Sequence, residues 1–445
     1  MKVFVLGLDS MPPKYFYEEG KKYFPNISKY LDEASKWKMK SCHPPITIPA
    51  WMVMFTGKTP GELGVYGFRH RKPGSFDYYI VNSRYIKEKA VWDYAAERGK
   101  RSVLFGVPPT YPPKPIYGYL VTDFTTPSTA TNWAYPPTLR IELERRGLKP
   151  IFDITYRSDD KPKVKRELLE MVDNHLKIVK HLATAKKWDF FIYVEIGIDR
   201  AHHAFLRYFD KEHPKYEENE ELNVIPEVYR MVDEWFAEMV EGPLKDSIIV
   251  FLSDHGIKPM KGAFVINEWL MEKGFLTLKR EPKEGEDLKE DMIDWSKTYA
   301  WAWGGYYSRV FINLKGREKY GIVEEKDYEA LREDLRKEIL GIKGPKGEPW
   351  KNEVYKPEEL YPEVRGDPPD LMVYLDGLNW RPVGTVGWNT LYLDRNDKGA
   401  DDAVHDWYGI LSVYDPEGRG GGYRGVIEAH EVSNVLRGLI DGEVP

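Results

Sequence analysis

Asp9, Asp199 and Asp254-His255 stand at the ends of three apolar runs, Val3–Leu8, Phe190–Ile198 and Ile248–Ser253. His203 follows Asp199 by one helical turn, and His405 lies far downstream in Ala403-Val404-His405-Asp406-Trp407. Carboxylate oxygens and imidazole nitrogens together ligate zinc and similar divalent cations. The set therefore reads as the donor complement of two such ions. In Asp199-x-x-x-His203 the spacing puts both side chains on one face of a helix's first turn. Asp254 and His255 are adjacent and diverge, so a strand-to-loop corner would let them face two metals or two lobes of one site. A single acid at a strand end serves equally well as a helix N-cap. Three such acids, each with a histidine or another ligand to match, make coincidence a poor account.

Thr47 is the candidate nucleophile. A free threonine hydroxyl attacks poorly at neutral pH, but a bound cation lowers the pKa of an oxygen acid. Pro49 suits the first turn of a helix, which puts Thr47 at a helix N-terminus, where unpaired N–H groups and the helix dipole favour phosphate. Capping that helix is the alternative role, and spacing alone leaves both open. Arg69 and His70 follow soon after, placed either to hold a phosphate oxygen as substrate-binding groups or to form a solvated basic pair.

Elements must bring these residues together. Apolar runs alternate with helical periodicity: Val164, Leu168, Met171, Val172, Leu176 and Val179 predict a long helix from about Lys163 to Lys186. A helix is expected from Asp199 to Phe209, another from Val228 to Met239, and a late core strand over Leu371–Leu375. The Pro- and Thr-rich stretch 108–137 reads as a long ordered loop. Alternating strands and helices predict an α/β, doubly wound, mostly parallel sheet with helices on both faces. In such sheets ligands bind beyond the carboxyl ends of the strands. Residues 1–257 and 367–445 form the expected metal-binding core, with 258–366 as an inserted cap or lid.

The chain has 445 residues, 42% hydrophobic and 31% charged, which fits a globular protein with a large core. A net charge of −6 argues against a nucleic-acid polymer or an anionic membrane as partner. No run is long enough to span a bilayer. The single cysteine, Cys42, excludes an internal disulfide and favours the cytoplasm. The N-terminus starts as a strand that carries Asp9, so removing it as a signal peptide would delete a ligand. Absence of glutamine beside abundant Lys and Glu suggests a thermophilic source. Oligomeric state is not legible.

The ordered set of segments resembles the alkaline phosphatase superfamily. It is most similar to its type I phosphodiesterase/nucleotide pyrophosphatase branch and to archaeal relatives described as phosphohydrolases or phosphomutases. The segments are Gly7-Leu8-Asp9, Pro44-Pro45-Ile46-Thr47-Ile48-Pro49-Ala50-Trp51, Thr56-Gly57-Lys58-Thr59-Pro60-Gly61, Asp199-Arg200-Ala201-His202-His203, Ser253-Asp254-His255-Gly256, Ile312–Glu318, and His405 with Gly409-Ile410. The resemblance implies the alkaline-phosphatase-like fold, and one metal on Asp199, His203 and His405. A second would lie on Asp9, Asp254 and His255 and also touch Thr47. It implies two divalent ions, Zn2+ by default with Mn2+ or Fe as alternatives, and a transient phosphothreonine on Thr47. The expected activity is cleavage of a small-molecule phosphate ester, most of all a phosphodiester. A phosphomutase, or a catalytically silent metal-binding homologue, is the alternative. Two departures stand out: Ala50 replaces the usual Asn after the Thr-x-Pro core, and Val65–His70 carries no phosphate-binding Asn. The sulfatase Cys-x-Pro-x-Arg signature is missing around Thr47.

Overall fold

The computed structural model describes residues 2–445. Its centre is a nine-stranded sheet made of β1 (Val3–Leu8), β2 (Ser35–Lys40), β3 (Ser102–Phe105), β4 (Gly118–Val121), β5 (Ala134–Tyr135), β6 (Phe190–Glu195), β7 (Ile248–Leu252), β8 (Tyr408–Tyr414) and β9 (Gly422–Glu428). In space the order is β9-β2-β8-β7-β1-β6-β3-β4-β5. The run β7-β1-β6-β3-β4 is parallel throughout. β8 enters antiparallel between β7 and β2, and β5 closes one edge antiparallel to β4.

Alternation along β1 explains the two-faced packing. Phe4, Leu6 and Leu8 point into one core, with helices α2 (Lys161–Ala185), α3 (Gly197–Phe209) and α4 (Ile225–Glu241). Val3 and Val5 point into the other, with α1 (Thr47–Thr56) and α5 (Val432–Asp441). A parallel strand covered on both faces must be apolar throughout, and β1, β6 and β7 are fully buried. The apolar residues that predicted α2 all lie on its buried side. The sheet is thus the doubly wound, mostly parallel α/β arrangement expected.

Two sequence expectations need correcting. The stretch 108–137 is no featureless loop: it supplies β4 and β5, strands too short for their periodicity to show. Leu371–Tyr374 does not join the central sheet. It pairs with Ser308–Ile312 and Glu353–Tyr355 in a four-stranded antiparallel sheet that begins with Ala300–Trp303. This sheet has its own core of Trp301, Phe311, Leu335, Ile339 and Val373. A cap ending at 366 would leave out one of its strands. Among the described residues no helix is long and apolar enough to cross a membrane.

Candidate active site

β7, β1 and β6 are neighbours, parallel and in register, with Leu8 beside Glu195 and Gly7 beside Leu252. Neighbouring strands lie about 4.8 Å apart, so the residues just past their carboxyl ends converge. Asp9 follows β1 directly, Asp254 and His255 follow β7, and Asp199 sits in the first turn of α3, right after β6. His405 arrives by a local pairing. Strand Ala403–Asp406 runs antiparallel to Gly256–Pro259, the strand that continues from His255. The His255 and His405 rings stack with centroids 3.7 Å apart. Gly256 permits this turn, because a Cβ there would fall 2.3 Å from the Tyr408 carbonyl oxygen.

Each of the six side chains is held by the protein through one atom and turns a second atom toward a common space. The Trp51 Nε1–H donates to Asp9 Oδ2 at 2.8 Å, the Ser10 N–H to Asp254 Oδ1 at 3.1 Å, and Arg200 Nη1 to Asp199 Oδ2 at 2.7 Å. The other oxygens, Asp9 Oδ1, Asp254 Oδ2 and Asp199 Oδ1, are buried with no hydrogen-bond partner. The histidines repeat the pattern. Nδ1 of His405 donates to the Pro45 carbonyl at 2.6 Å, that of His255 to the Gly256 carbonyl at 2.8 Å, and that of His203 to Asp401 Oδ1 at 2.7 Å. A carbonyl oxygen only accepts, so in the neutral ring Nε2 carries the lone pair. These Nε2 atoms face the same space. His203 Nε2 lies 3.3 Å from His405 Nε2 and 3.3 Å from Asp199 Oδ1. His255 Nε2 lies 3.1 Å from Asp254 Oδ2 and 3.7 Å from Asp9 Oδ1. Metal-ligating histidines normally have their second nitrogen fixed in this way.

Donor atoms of Asp199, His203 and His405 lie within 4.8 Å of one another, as do those of Asp9, Asp199 and His255. The first group is the expected one. The second takes Asp199 where Asp254 was expected, and Asp254 joins it through His255. Three carboxylates and three imidazoles, fully buried, fit divalent cations by donor chemistry and by their orphaned oxygens.

Without a bound cation these buried groups shift one another strongly. Burial, with Asp254 and Asp199 adding repulsion, raises the Asp9 carboxyl well above the usual range. Burial would raise Asp199 too, but His203 and Arg200 hold it well below. Burial would lower His255, yet Asp254, Asp9 and Asp199 push it up to about 9. Burial, with His255 and His203, depresses His405 far below an ordinary imidazole. Groups pulling each other this far apart are typical of functional sites.

Thr47 opens α1 with its Oγ1 3.3 Å from His255 Nε2. Ile46 is the N-cap residue and Thr47 the first residue of the helix, so capping does not account for the Thr47 hydroxyl. His202 lies one layer out: its Nδ1 is 2.8 Å from Ser10 Oγ, the residue whose N–H holds Asp254.

Arg69 and His70 are not brought into the cluster. His70 is buried and accepts the Tyr66 N–H at Nε2, 2.8 Å away. Burial and nearby Arg309 lower its pKa to about 3. Arg69 is exposed, its guanidinium 4.9 Å from the Tyr78 ring centroid. Sequence reasoning missed other groups at the site. Tyr306 stacks on His405 with centroids 3.8 Å apart, and Arg157 and Arg381 both pair with Asp401. These lie on loops and minor strands with no local pattern to mark them.

The sequence matches the family model described as type I phosphodiesterase/nucleotide pyrophosphatase over residues 3–401. No curated protein matches it. Among solved structures, human ectonucleotide pyrophosphatase/phosphodiesterase 5 aligns with a TM-score of 0.59 at 12% identity, covering 100% of this chain and 96% of that one. The murine protein gives 0.57 at 12% identity, over 99% and 95%. An inactive murine variant in complex with AMP aligns equally well. At this identity the likeness is one of fold.

Proposed function

The chain belongs to the type I phosphodiesterase/nucleotide pyrophosphatase family and is a hydrolase acting on phosphate ester bonds, and from that premise we propose a phosphodiesterase that works through Thr47 beside two divalent cations. One observation carries the reading: three buried carboxylates, each with one oxygen fixed by protein and one orphaned, face the Nε2 atoms of three buried imidazoles beside a threonine at a helix start. When bound, two such cations supply positive charge that makes Thr47 more acidic and clamps the attacking and leaving oxygens of an in-line displacement.

The chain's own residues do the rest. Asp199, His203 and His405 hold one ion. Asp9, Asp254 and His255 hold the other, with Asp199 near both. Thr47 Oγ1 bonds to phosphorus as the P–O bond to the departing alcohol breaks. Water then cleaves the phosphothreonine and restores the hydroxyl. The first-turn N–H groups of α1 have no partners within their helix and face a phosphoryl oxygen favourably. Zinc is the proposed metal, since three imidazoles and three carboxylates form a mixed N/O set, with manganese or iron able to use the same donors. The single cysteine supports a cytoplasmic site of action and the missing glutamine a thermophilic source.

Replacing Thr47 with Ala tests this. Cleavage of bis(4-nitrophenyl) phosphate should fall by at least about 10³-fold, the loss typical of removing a nucleophile, with metal content unchanged. Retention of wild-type turnover by the metal-loaded variant would end the threonine mechanism. The same assay on 4-nitrophenyl phosphate ranks diester against monoester.

A further inference from the structure

An in-line displacement assigns sides to the site. Thr47 Oγ1 lies against His255, so the oxygen that departs opposite it points toward Asp199, His203 and His405. Around that side stands a group with no part in holding the metal. Tyr306 Oη is 3.3 Å from His203 Nε2, and its ring covers His405. Arg157 donates from Nη2 to Tyr306 Oη at 2.8 Å and from Nε to Asp401 Oδ2 at 2.9 Å. Arg381 Nη1 reaches the same Asp401 oxygen at 3.3 Å, with its guanidinium carbon 4.5 Å from the Tyr306 ring centroid.

The charges do not balance. Among the described residues Asp401 is the only carboxylate that pairs with Arg157 or Arg381, and its other oxygen is taken by His203. Arg200, the next cation, is already matched by Asp153 and Asp199. Arg381 Nε is also buried with no acceptor among the described residues, a state that buried N–H groups seldom keep. Arg157 remains partly exposed. A surplus positive charge therefore stands two hydrogen bonds from His203 Nε2, roughly the reach of a small aromatic ring.

We propose that Arg157, Arg381 and Tyr306 form a subsite for a leaving group that bears an anionic group of its own, a carboxylate or a phosphate. Arg supplies the planar paired donors that such anions take, and Tyr306 sets the direction of approach. This rests on the phosphohydrolase reading and narrows its substrates to esters with charged leaving groups.

Binding to the metal-loaded Thr47→Ala protein tests it, by calorimetry with phenylphosphonate, 4-carboxyphenylphosphonate and benzene-1,4-diphosphonate. At least one charged probe should bind about tenfold tighter than phenylphosphonate, the value of one added charge-assisted contact. Which of the two gains tells carboxylate from phosphate. Adding Arg157→Gln should shrink the gap to less than about threefold, the range of an exposed ion pair, and Arg157→Lys should restore part of it. Arg381→Gln gives an independent second variant. Equal affinities for all three probes, or a gap that survives both substitutions, would overturn the subsite. Ester cleavage by the wild-type protein with no such gap in the variant sinks only the subsite. Failure to bind phenylphosphonate together with failure of the metal-loaded wild-type protein to cleave any ester sinks the phosphohydrolase reading as well.

Discussion

Asp401 holds His203 in the tautomer and orientation that leave Nε2 free, through a 2.7 Å bond between fully buried partners. The His203 proton, Arg157 and Arg381 together hold the Asp401 carboxyl far below its ordinary pKa, against the pull of burial. It is therefore an anion whenever the protein is folded near neutrality. Asp401→Ala removes that anchor and lets the His203 ring turn. Affinity at the Asp199, His203 and His405 group should fall about 10–100-fold, the usual cost of losing such a partner. Affinity at the Asp9 side should hold, and competition with a chromogenic chelator resolves the two steps. Residues of this kind were not readable beforehand. Asp9, Asp199 and Asp254 announced themselves because each ends an apolar run, and His203 because it lies one helical turn from Asp199. Asp401 reaches His203 across nearly two hundred residues, from a loop whose Asp-Asp pair looks like any solvated turn. His70 shows the opposite error: a histidine near the site in sequence, yet committed to the Tyr66 backbone.

At the scale of elements, the site depends on how closely β1 meets α1. Gly7 lies in the middle of that contact, where a Cβ would come 2.7 Å from Cη2 of Trp51. Trp51 is fully buried and holds Asp9 through its indole N–H. Gly7→Ala should therefore cost about 1–3 kcal/mol by overpacking. It should also weaken metal binding on the Asp9 side, read by urea unfolding and metal titration of the same variant. A second joint lies at the end of β6. Glu195 bonds His175 of α2 at 3.1 Å and accepts the Gly197 N–H of α3 at 2.6 Å. Burial would lower the His175 pKa, but Glu195 and the Ile151 carbonyl raise it above that of an ordinary imidazole. A raised folded pKa gives stability that is complete below the unfolded value and disappears as pH climbs through the folded one. The melting-temperature gap between wild type and His175→Asn should be widest below the ordinary imidazole pKa and narrow as pH rises above it. An unchanging gap would mean that the neutral imidazole does the same work. Long periodic elements such as α2 were legible from the sequence. β4 and β5 were not, because four- and two-residue strands in a Pro-rich stretch carry too few side chains to show a period. Leu371–Tyr374 was recognised as a buried strand, but a buried apolar tetrapeptide does not say which sheet it joins.

At the scale of the molecule, the four-stranded sheet must stay fixed to the central one for Tyr306 to remain beside His203. Several contacts do this. Tyr307 donates to the Tyr66 carbonyl at 2.6 Å, and Tyr361 donates to that of His43. The strongest is ionic. Arg71, in the hairpin that follows α1, grips Glu318 with both terminal nitrogens at 2.7 and 2.9 Å and Asp367 at 2.6 and 3.1 Å. Its side chain is 1% exposed, Glu318's 4% and Asp367's 12%. A buried ionic group of this kind fixes geometry more than it adds stability, but removing one partner strands the others. Arg71→Met would leave Asp367 without its cation, while Glu318 keeps Arg317 at 2.8 Å. The expected loss is about 3–5 kcal/mol, seen as a lower denaturant midpoint. Metal affinity offers the decisive contrast, since all six proposed ligands lie outside the four-stranded sheet. If that sheet serves only to carry Tyr306 and its neighbours, Arg71→Met should lower stability and turnover while both cations bind as before. Loss of the cations along with stability would mean that the two sheets fold as one cooperative unit, with the metal centre as dependent on the ionic tie as Tyr306 is.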